Sequence, residues 1–197
     1  MNDQWPYVDS NLRKILNQII KSNKFNYHTG KFCKLFENKF AKYHGNKYAL
    51  CISNATIGLE LALISLNISK KDEVIVTARS YYTSVSCISR IGAKPVFADI
   101  SDNLTISPND IEKKITKKTK AIICVHISGI PCDMNKIIKI AKKNKLKVIE
   151  DCSQAHGAKI NKKLVGTFGD ISVWSFCNDK IISTLGEGGM ISTNKLL

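Results

Sequence analysis

Arginine is nearly missing from this sequence: Lys and Arg together number 30, and only Arg13, Arg79 and Arg90 are arginine. Against 16 Asp and Glu this leaves a formal net charge of +14, which on its own raises nucleic acid or an acidic membrane surface as a partner. Readout of phosphates and base edges favours arginine forks, however. The lysines are spread along the chain, with runs such as Lys113-Lys114 and Lys142-Lys143 that read as solvated helix ends. The charge is therefore read as a Lys/Ile/Asn-rich composition, and no nucleic acid is expected as a partner. Paired cysteine spacing is missing as well. The seven cysteines contain no C-x-x-C, so neither a disulfide framework nor a zinc site is suggested, and reduced thiols are expected. No apolar run approaches the roughly 18 residues of a spanning helix. The opening MNDQWPYVDS is neither a basic n-region nor an apolar h-region. A soluble, cytoplasmic chain without membrane insertion is expected.

What is present is enough apolar content, 44% over 197 residues, for one substantial core. Leu12, Ile15, Leu16, Ile19 and Ile20 have the spacing of an amphipathic helix over 11–22, and Phe32, Leu35, Phe36 and Phe40 predict a second over 31–43, ended by Gly45. The stripe of the second helix is expected to be core. Residues 1–47 thus read as an N-terminal helical segment. Beyond it, β-prone runs at 48–53, 73–77, 95–98, 120–126, 146–150 and 172–176 alternate with helical patterns at 56–66, 83–91, 108–115 and 134–144. Such alternation predicts an α/β domain with a largely parallel sheet covered on both faces. Ligands in such sheets gather at the carboxyl ends of the strands.

Three places near those ends could carry chemistry. Asn54-Ala55-Thr56 lies between a strand and a helix, where free N–H groups and a hydroxyl suit a phosphate; a plain N-cap is the simpler alternative. The run from Val148 to His156 is an apolar strand whose end delivers a carboxylate (Asp151), an amide (Gln154) and an imidazole (His156). Its donors have no recognised metal-ligand spacing, and no metal is expected. Finally, Lys180 follows the short run Val173, Trp174, Phe176 and precedes Gly186, Gly188 and Gly189, where the backbone is expected to turn tightly. A lysine beside apolar residues at a strand-to-turn junction can be partly desolvated, which frees its amine to attack a carbonyl. Taken alone, any one lysine of so many is most simply a solvated side chain.

The segment S-F-x-x-x-K (Ser175 to Lys180) followed by S-T-x-G-E-G-G (Ser183 to Gly189) resembles the cofactor-lysine segment of the DegT/DnrJ/EryC1/StrS family. These are pyridoxal-phosphate (PLP) enzymes that mostly aminate keto-sugars carried on nucleotides. The resemblance extends from Trp5-Pro6-Tyr7 to the Gly-rich turn, with the motifs in the family's order. It implies the PLP-dependent transferase fold type I: an α/β large domain like that of aspartate aminotransferase, in three α/β/α layers. It also implies a homodimer with sites near the subunit boundary, a nucleotide-linked keto-sugar as acceptor and glutamate as the usual amino donor.

Carried over residue by residue, the resemblance gives Asn54, Ala55 and Thr56 the place of the family's Ser-Gly-Thr phosphate loop. Ala55 cannot enter glycine-only conformations, which leaves that loop's geometry open. Tyr81 takes the place of the aromatic that stacks on the cofactor ring, with Tyr82 the competitor if the register shifts by one. Asp151 matches the aspartate that keeps the ring nitrogen protonated, which PLP needs to withdraw electrons. Gln154 matches the partner of the phenolic oxygen, Ser175 a second phosphate hydroxyl, and Lys180 the Schiff-base lysine that also moves the proton. His156 is open between a satisfied structural histidine and a catalytic one, and Glu187 between a structural role and a substrate contact. His126 and Asp133 read as loop-shaping residues, and Thr29 and Gly30 as approaching a partner chain's site. A branch of the family carries histidine at the lysine position and dehydrates sugars; Lys180 points away from it. Family members continue into a smaller C-terminal domain, expected to be absent from 1–197. The second expectation is accordingly an inactive PLP-binding or scaffold remnant, and a basic nucleic-acid-binding domain is a distant third.

Overall fold

The computed structural model describes Trp5 and residues 7–195; Pro6 of the opening motif and Leu197 lie outside the described residues. Helix α1 (Ser10–Ser22) starts where Asp9 accepts the Leu12 N–H at 2.7 Å, and α2 (Phe32–His44) stops at Gly45 with φ +70°. Then follow β1 (Tyr48–Ile52), α3 (Ala55–Ser65), β2 (Glu73–Thr77), α4 (Thr83–Arg90) and β3 (Lys94–Ala98). Next come α5 (Pro108–Lys114), β4 (Thr119–Val125), a 3-10 turn (Ile127–Gly129), α6 (Met134–Lys143) and β5 (Lys147–Asp151). A small hairpin, β6 (Lys159–Ile160) with β7 (Lys163–Leu164), precedes β8 (Ile171–Ser175) and β9 (Gly189–Thr193). Elements predicted from the alternation fall within a residue or two of these.

Seven strands form one sheet in the order β1-β9-β8-β5-β4-β2-β3. The pairs β2/β3, β2/β4, β4/β5 and β5/β8 are parallel, whereas β9 runs antiparallel to both neighbours, β1 and β8. Because side chains alternate along a strand, the central strands serve two cores. Val76, Ile123, Ile149 and Val173 pack with Leu59 and Leu63 of α3 and Ile88 of α4. On the other face Ile75, Ile122 and Val148 pack with Ile111 of α5 and Ile137 of α6. A third cluster joins Phe40 of α2 to Trp174, Phe176 and Met190. The sheet is thus sandwiched between helical layers, the arrangement expected for fold type I.

Helix α1 buries no residue: Leu12, Ile15, Leu16 and Ile19 are partly covered and Ile20 is exposed. Two expectations need correction. In α2 the stripe is split, with Phe40 buried and Phe32 and Leu35 exposed. The tight turn after Lys180 does not rest on its glycines either. Its left-handed residue is Leu185 (φ 60°), while Gly186 has open space around it. Gly188 and Gly189 are required for close approach: a Cβ on Gly188 would collide with Thr184 Oγ1, and one on Gly189 would lie 2.8 Å from the carbonyl carbon of Asn54.

Candidate active site

Strands β1, β2, β4, β5 and β8 all end around one cleft of about 470 Å³. Asn54, Ala55, Thr56, Tyr81, Asp151, Gln154, Ser175 and Lys180 all line it, so the residues singled out from the sequence converge in space. Tyr81 and Tyr82 are both exposed, their rings tilted at 55° with centroids 4.6 Å apart, but among the described lining it is Tyr81 that faces the cleft.

At one wall stands the start of α3. Asn54 does cap the helix, accepting from the Ile57 N–H at 3.0 Å, which leaves the N–H groups of Ala55 and Thr56 at the cleft, where a helix has no partners of its own for them. Ala55 is simply the first helical residue, so no glycine-only conformation is needed at this place. Gly189 of β9 instead provides the room, its missing Cβ allowing the strand to press against the Asn54–Ala55 peptide. Nearby, Ser175 Oγ accepts from the Cys177 N–H at 3.3 Å, so its own proton is available to donate.

The floor is Asp151, 5% exposed at the end of β5. Its Oδ2 accepts from Ser84 Oγ at 2.8 Å and its Oδ1 from the Ser153 N–H at 3.2 Å. Gln154 is oriented by Ser128, whose N–H donates to Oε1 at 2.7 Å. That bond fixes the carbonyl end of the amide and leaves the NH2 end as the free donor. Ser128 itself sits at φ 52°, so the loop is held in an uncommon conformation where it meets Gln154.

Lys180 has 21% of its side chain exposed. Its Nζ pairs with Asp179 Oδ2 at 2.7 Å, and Ile181 and Ile182 are exposed. The Lys180 hydrogen bond holds the Asp179 carboxyl below its ordinary range. Glu187 accepts from the thiol of Cys177 at 3.3 Å and also lines the cleft.

His156 is not a satisfied structural histidine. Both ring nitrogens are buried without a hydrogen-bond partner among the described residues, and the ring packs against Trp174 (5.5 Å) and Phe176 (5.7 Å). Burial first, then the charges of His44 and Lys180, hold its pKa down to about 4. His126 and Asp133 do shape their loop: His126 Nδ1 accepts from the Cys132 N–H at 3.0 Å, and Asp133 caps α6. Thr29 hydrogen-bonds within its own turn, to Asn26 Oδ1. His126, Glu150 and Cys152 bring ligand-type atoms within 4.8 Å of one another. The set does not suit a metal ion, because Glu150 Oε1 already accepts from the Phe168 and Gly169 N–H groups and Oε2 from Gly166 N–H and His126 Nε2.

The family model for the DegT/DnrJ/EryC1/StrS aminotransferase family matches residues 6–195. The chain belongs to that family. Among its relatives, a GDP-perosamine synthase of Escherichia coli O157:H7 is 54% identical over 167 residues, covering 84% of this chain and 45% of that protein. The crystal structure of an aminotransferase from Psychrobacter cryohalolentis superposes with a TM-score of 0.96 at 45% identity, over 98% of this chain and 49% of the other. NtdA from Bacillus subtilis, solved with bound cofactor PMP, superposes at 0.88 and 30% identity, over 96% and 43%. The chain thus spans about half the length of the relatives it matches. Within this DegT/DnrJ/EryC1/StrS chain, sequence reasoning missed Ser80, Ser84, Cys177 and Asp179. Ser80 in a loop and Ser84 in a helix carry no signal until the fold brings them to Asp151, and the adjacency of Asp179 to Lys180 does not by itself announce an ion pair.

Proposed function

We propose that the cleft binds PLP and that the protein transfers an amino group, with glutamate as donor, to a keto group of a nucleotide-linked sugar. The single observation that carries the reading is the convergence of a helix N-terminus, a buried carboxylate, an oriented amide and a lysine in one cleft. This donor set fits a phosphorylated pyridine aldehyde. The N–H groups of Ala55 and Thr56 and the Ser175 hydroxyl suit the phosphate. Asp151 suits a ring nitrogen that must keep its proton, the free NH2 of Gln154 suits the phenolic oxygen, and Tyr81 offers a face to the ring. When bound, PLP supplies the electron sink that lets an amino group leave one molecule and join another. Lys180 Nζ is the amine that holds the aldehyde and then carries the proton, and to do so it must part from Asp179.

The same cleft supports a limit on the isolated chain. Asp151, Asp179 and Glu187 line it with one cation, Lys180, which is already paired, so no other cationic side chain among the described lining residues can meet the donor's carboxylates. Residues 1–197 alone are therefore read as binding PLP without turnover. The outer stripe of α3, Ile57, Leu61 and Ile64 at 37%, 41% and 55% exposure, supports a homodimer as the assembled state. No helix among the described residues is long and apolar enough to cross a membrane, and free cysteines throughout support a reducing, cytoplasmic setting.

Addition of PLP to purified 1–197 should give a visible absorption band, and borohydride followed by peptide mapping should place the label on Lys180. A label on another lysine would sink the assignment. A coupled glutamate assay on the same chain should read zero, and robust turnover would overturn the limit just stated.

A further inference from the structure

Ser84 is fully buried on α4, with its Oγ 2.8 Å from Asp151 Oδ2 and 2.7 Å from the Oγ of Ser80, which lines the cleft. A carboxylate can only accept, so the one O–H of Ser84 is committed to Asp151; Ser80 must then donate to Ser84. The order is Ser80 to Ser84 to Asp151, and it leaves Ser80 with only lone pairs to offer the cleft. The bond to Asp151 is a buried, charge-assisted one. Together with the Ser153 N–H on Oδ1, it stops the carboxylate from turning about its Cβ–Cγ bond. A helix distant in sequence thereby sets the plane of the group at the bottom of the cleft before any ligand arrives, which removes an ordering cost from binding.

We propose that Ser84 is a positioning residue that pre-sets Asp151 for the cofactor's ring nitrogen, and that Ser80 fixes the direction of the Ser84 hydroxyl. The inference rests on the reading of Asp151 given under Proposed function. Ser84 touches no ligand in this scheme and acts only through Asp151.

The test is PLP titration of chain 1–197, followed by visible circular dichroism of the bound cofactor, with urea unfolding of each cofactor-free variant as a check on the fold. Ser84→Ala should weaken PLP binding about tenfold and reduce the induced dichroism. Ser84→Thr keeps the hydroxyl and should restore both, Ser84→Cys, with a weak donor of similar size, should fall between, and Ser80→Ala should lose less than Ser84→Ala. In an Asp151→Asn background the effect of Ser84→Ala should vanish, because there is no longer a carboxylate charge for Ser84 to aim at the ring nitrogen. Wild-type affinity and dichroism in Ser84→Ala, or the same loss in both backgrounds, would overturn the positioning role and leave the proposed function standing. Should Ser84→Ala fail to fold, the ranking of Thr above Cys decides, and equal binding by the two overturns the role. Absence of any PLP band in the wild-type chain would overturn both.

Discussion

Glu150 and Asp151 are neighbours on one strand, carry the same charge and are both buried, yet the pleat turns them to opposite faces of the sheet and to different work. Glu150 faces the loop 166–169 and collects four donors: the N–H groups of Gly166, Phe168 and Gly169 and the Nε2 of His126. Since His126 Nδ1 accepts from the Cys132 N–H, the ring must carry its proton on Nε2, and the pair is a neutral imidazole donating to a carboxylate. Burial alone pushes the Glu150 carboxyl up, but the His126 hydrogen bond and the backbone N–H groups outweigh it and hold the carboxyl below its ordinary range. Asp151 collects two donors and keeps the rest of its acceptor capacity turned to the cleft. Acceptor capacity left over, rather than charge or burial, separates a carboxylate that can meet a ligand from one that holds a loop.

The largest effect should come from breaking the saturated partner. Glu150→Gln places an NH2 among four donors and leaves buried N–H groups without an acceptor, which should cost about 3–5 kcal/mol in urea unfolding. A loss under about 1 kcal/mol would mean that the loop finds other partners and that the two carboxylates are not so different. The wild type should also lose stability in acid through this group. With the folded value lowered, the contribution is fully present above the unfolded value near 4.3 and disappears as pH falls through the folded one. Glu150→Gln should lack that limb.

Next in size, and opposite in kind, is Asp151→Asn. Its carbonyl oxygen can stay on the Ser153 N–H while its NH2 donates to the Ser84 hydroxyl, which can accept as well as donate, so stability should change by about 1 kcal/mol or less, while the charge that favours a protonated ring nitrogen is gone. The PLP band should shift or fade in a chain that unfolds almost as the wild type does. A variant that unfolds early and keeps the band would reverse the comparison.

The fold's alternation was legible because β2, β4 and β5 carry short apolar runs on both faces, at 74–76, 121–125 and 148–149, set between charged or polar stretches, so their length reads clearly. Strand β9 was not: it begins on Gly189, runs only to Thr193, and is placed by antiparallel pairing with β1 and β8, which no local pattern announces. The hairpin β6/β7 is two residues a side, below any period. In the site, motif order located Asp151, Gln154 and Lys180, but the companions that orient them are 67 residues away for Ser84 and 26 for Ser128. Contacts of that span follow from packing rather than from spacing. The stripe of α2 misled for the converse reason, since its period predicts an apolar face without saying how much of it is covered.

The smallest expected effect tests the third polar group that β5 leads to, His156, which stands apart from both carboxylates in having no hydrogen bond among the described residues. Its folded pKa of about 4 lies below the ordinary 6.5. Between those values the unfolded chain binds a proton that the folded chain refuses, so this residue makes stability rise with pH across that window and fall as the solution is acidified. His156→Phe retains a ring against Trp174 and Phe176 but cannot titrate. The difference in urea midpoint between wild type and His156→Phe, measured at intervals from pH 4 to 7, should therefore change steadily through the window and be flat above it. His44, whose pKa is also lowered by burial, is common to both proteins and drops out of the first-order difference. A difference that stays constant across the whole range would mean that the imidazole reaches water in solution, and that an unpaired polar group beside Phe176 is no part of what sets this end of the cleft apart.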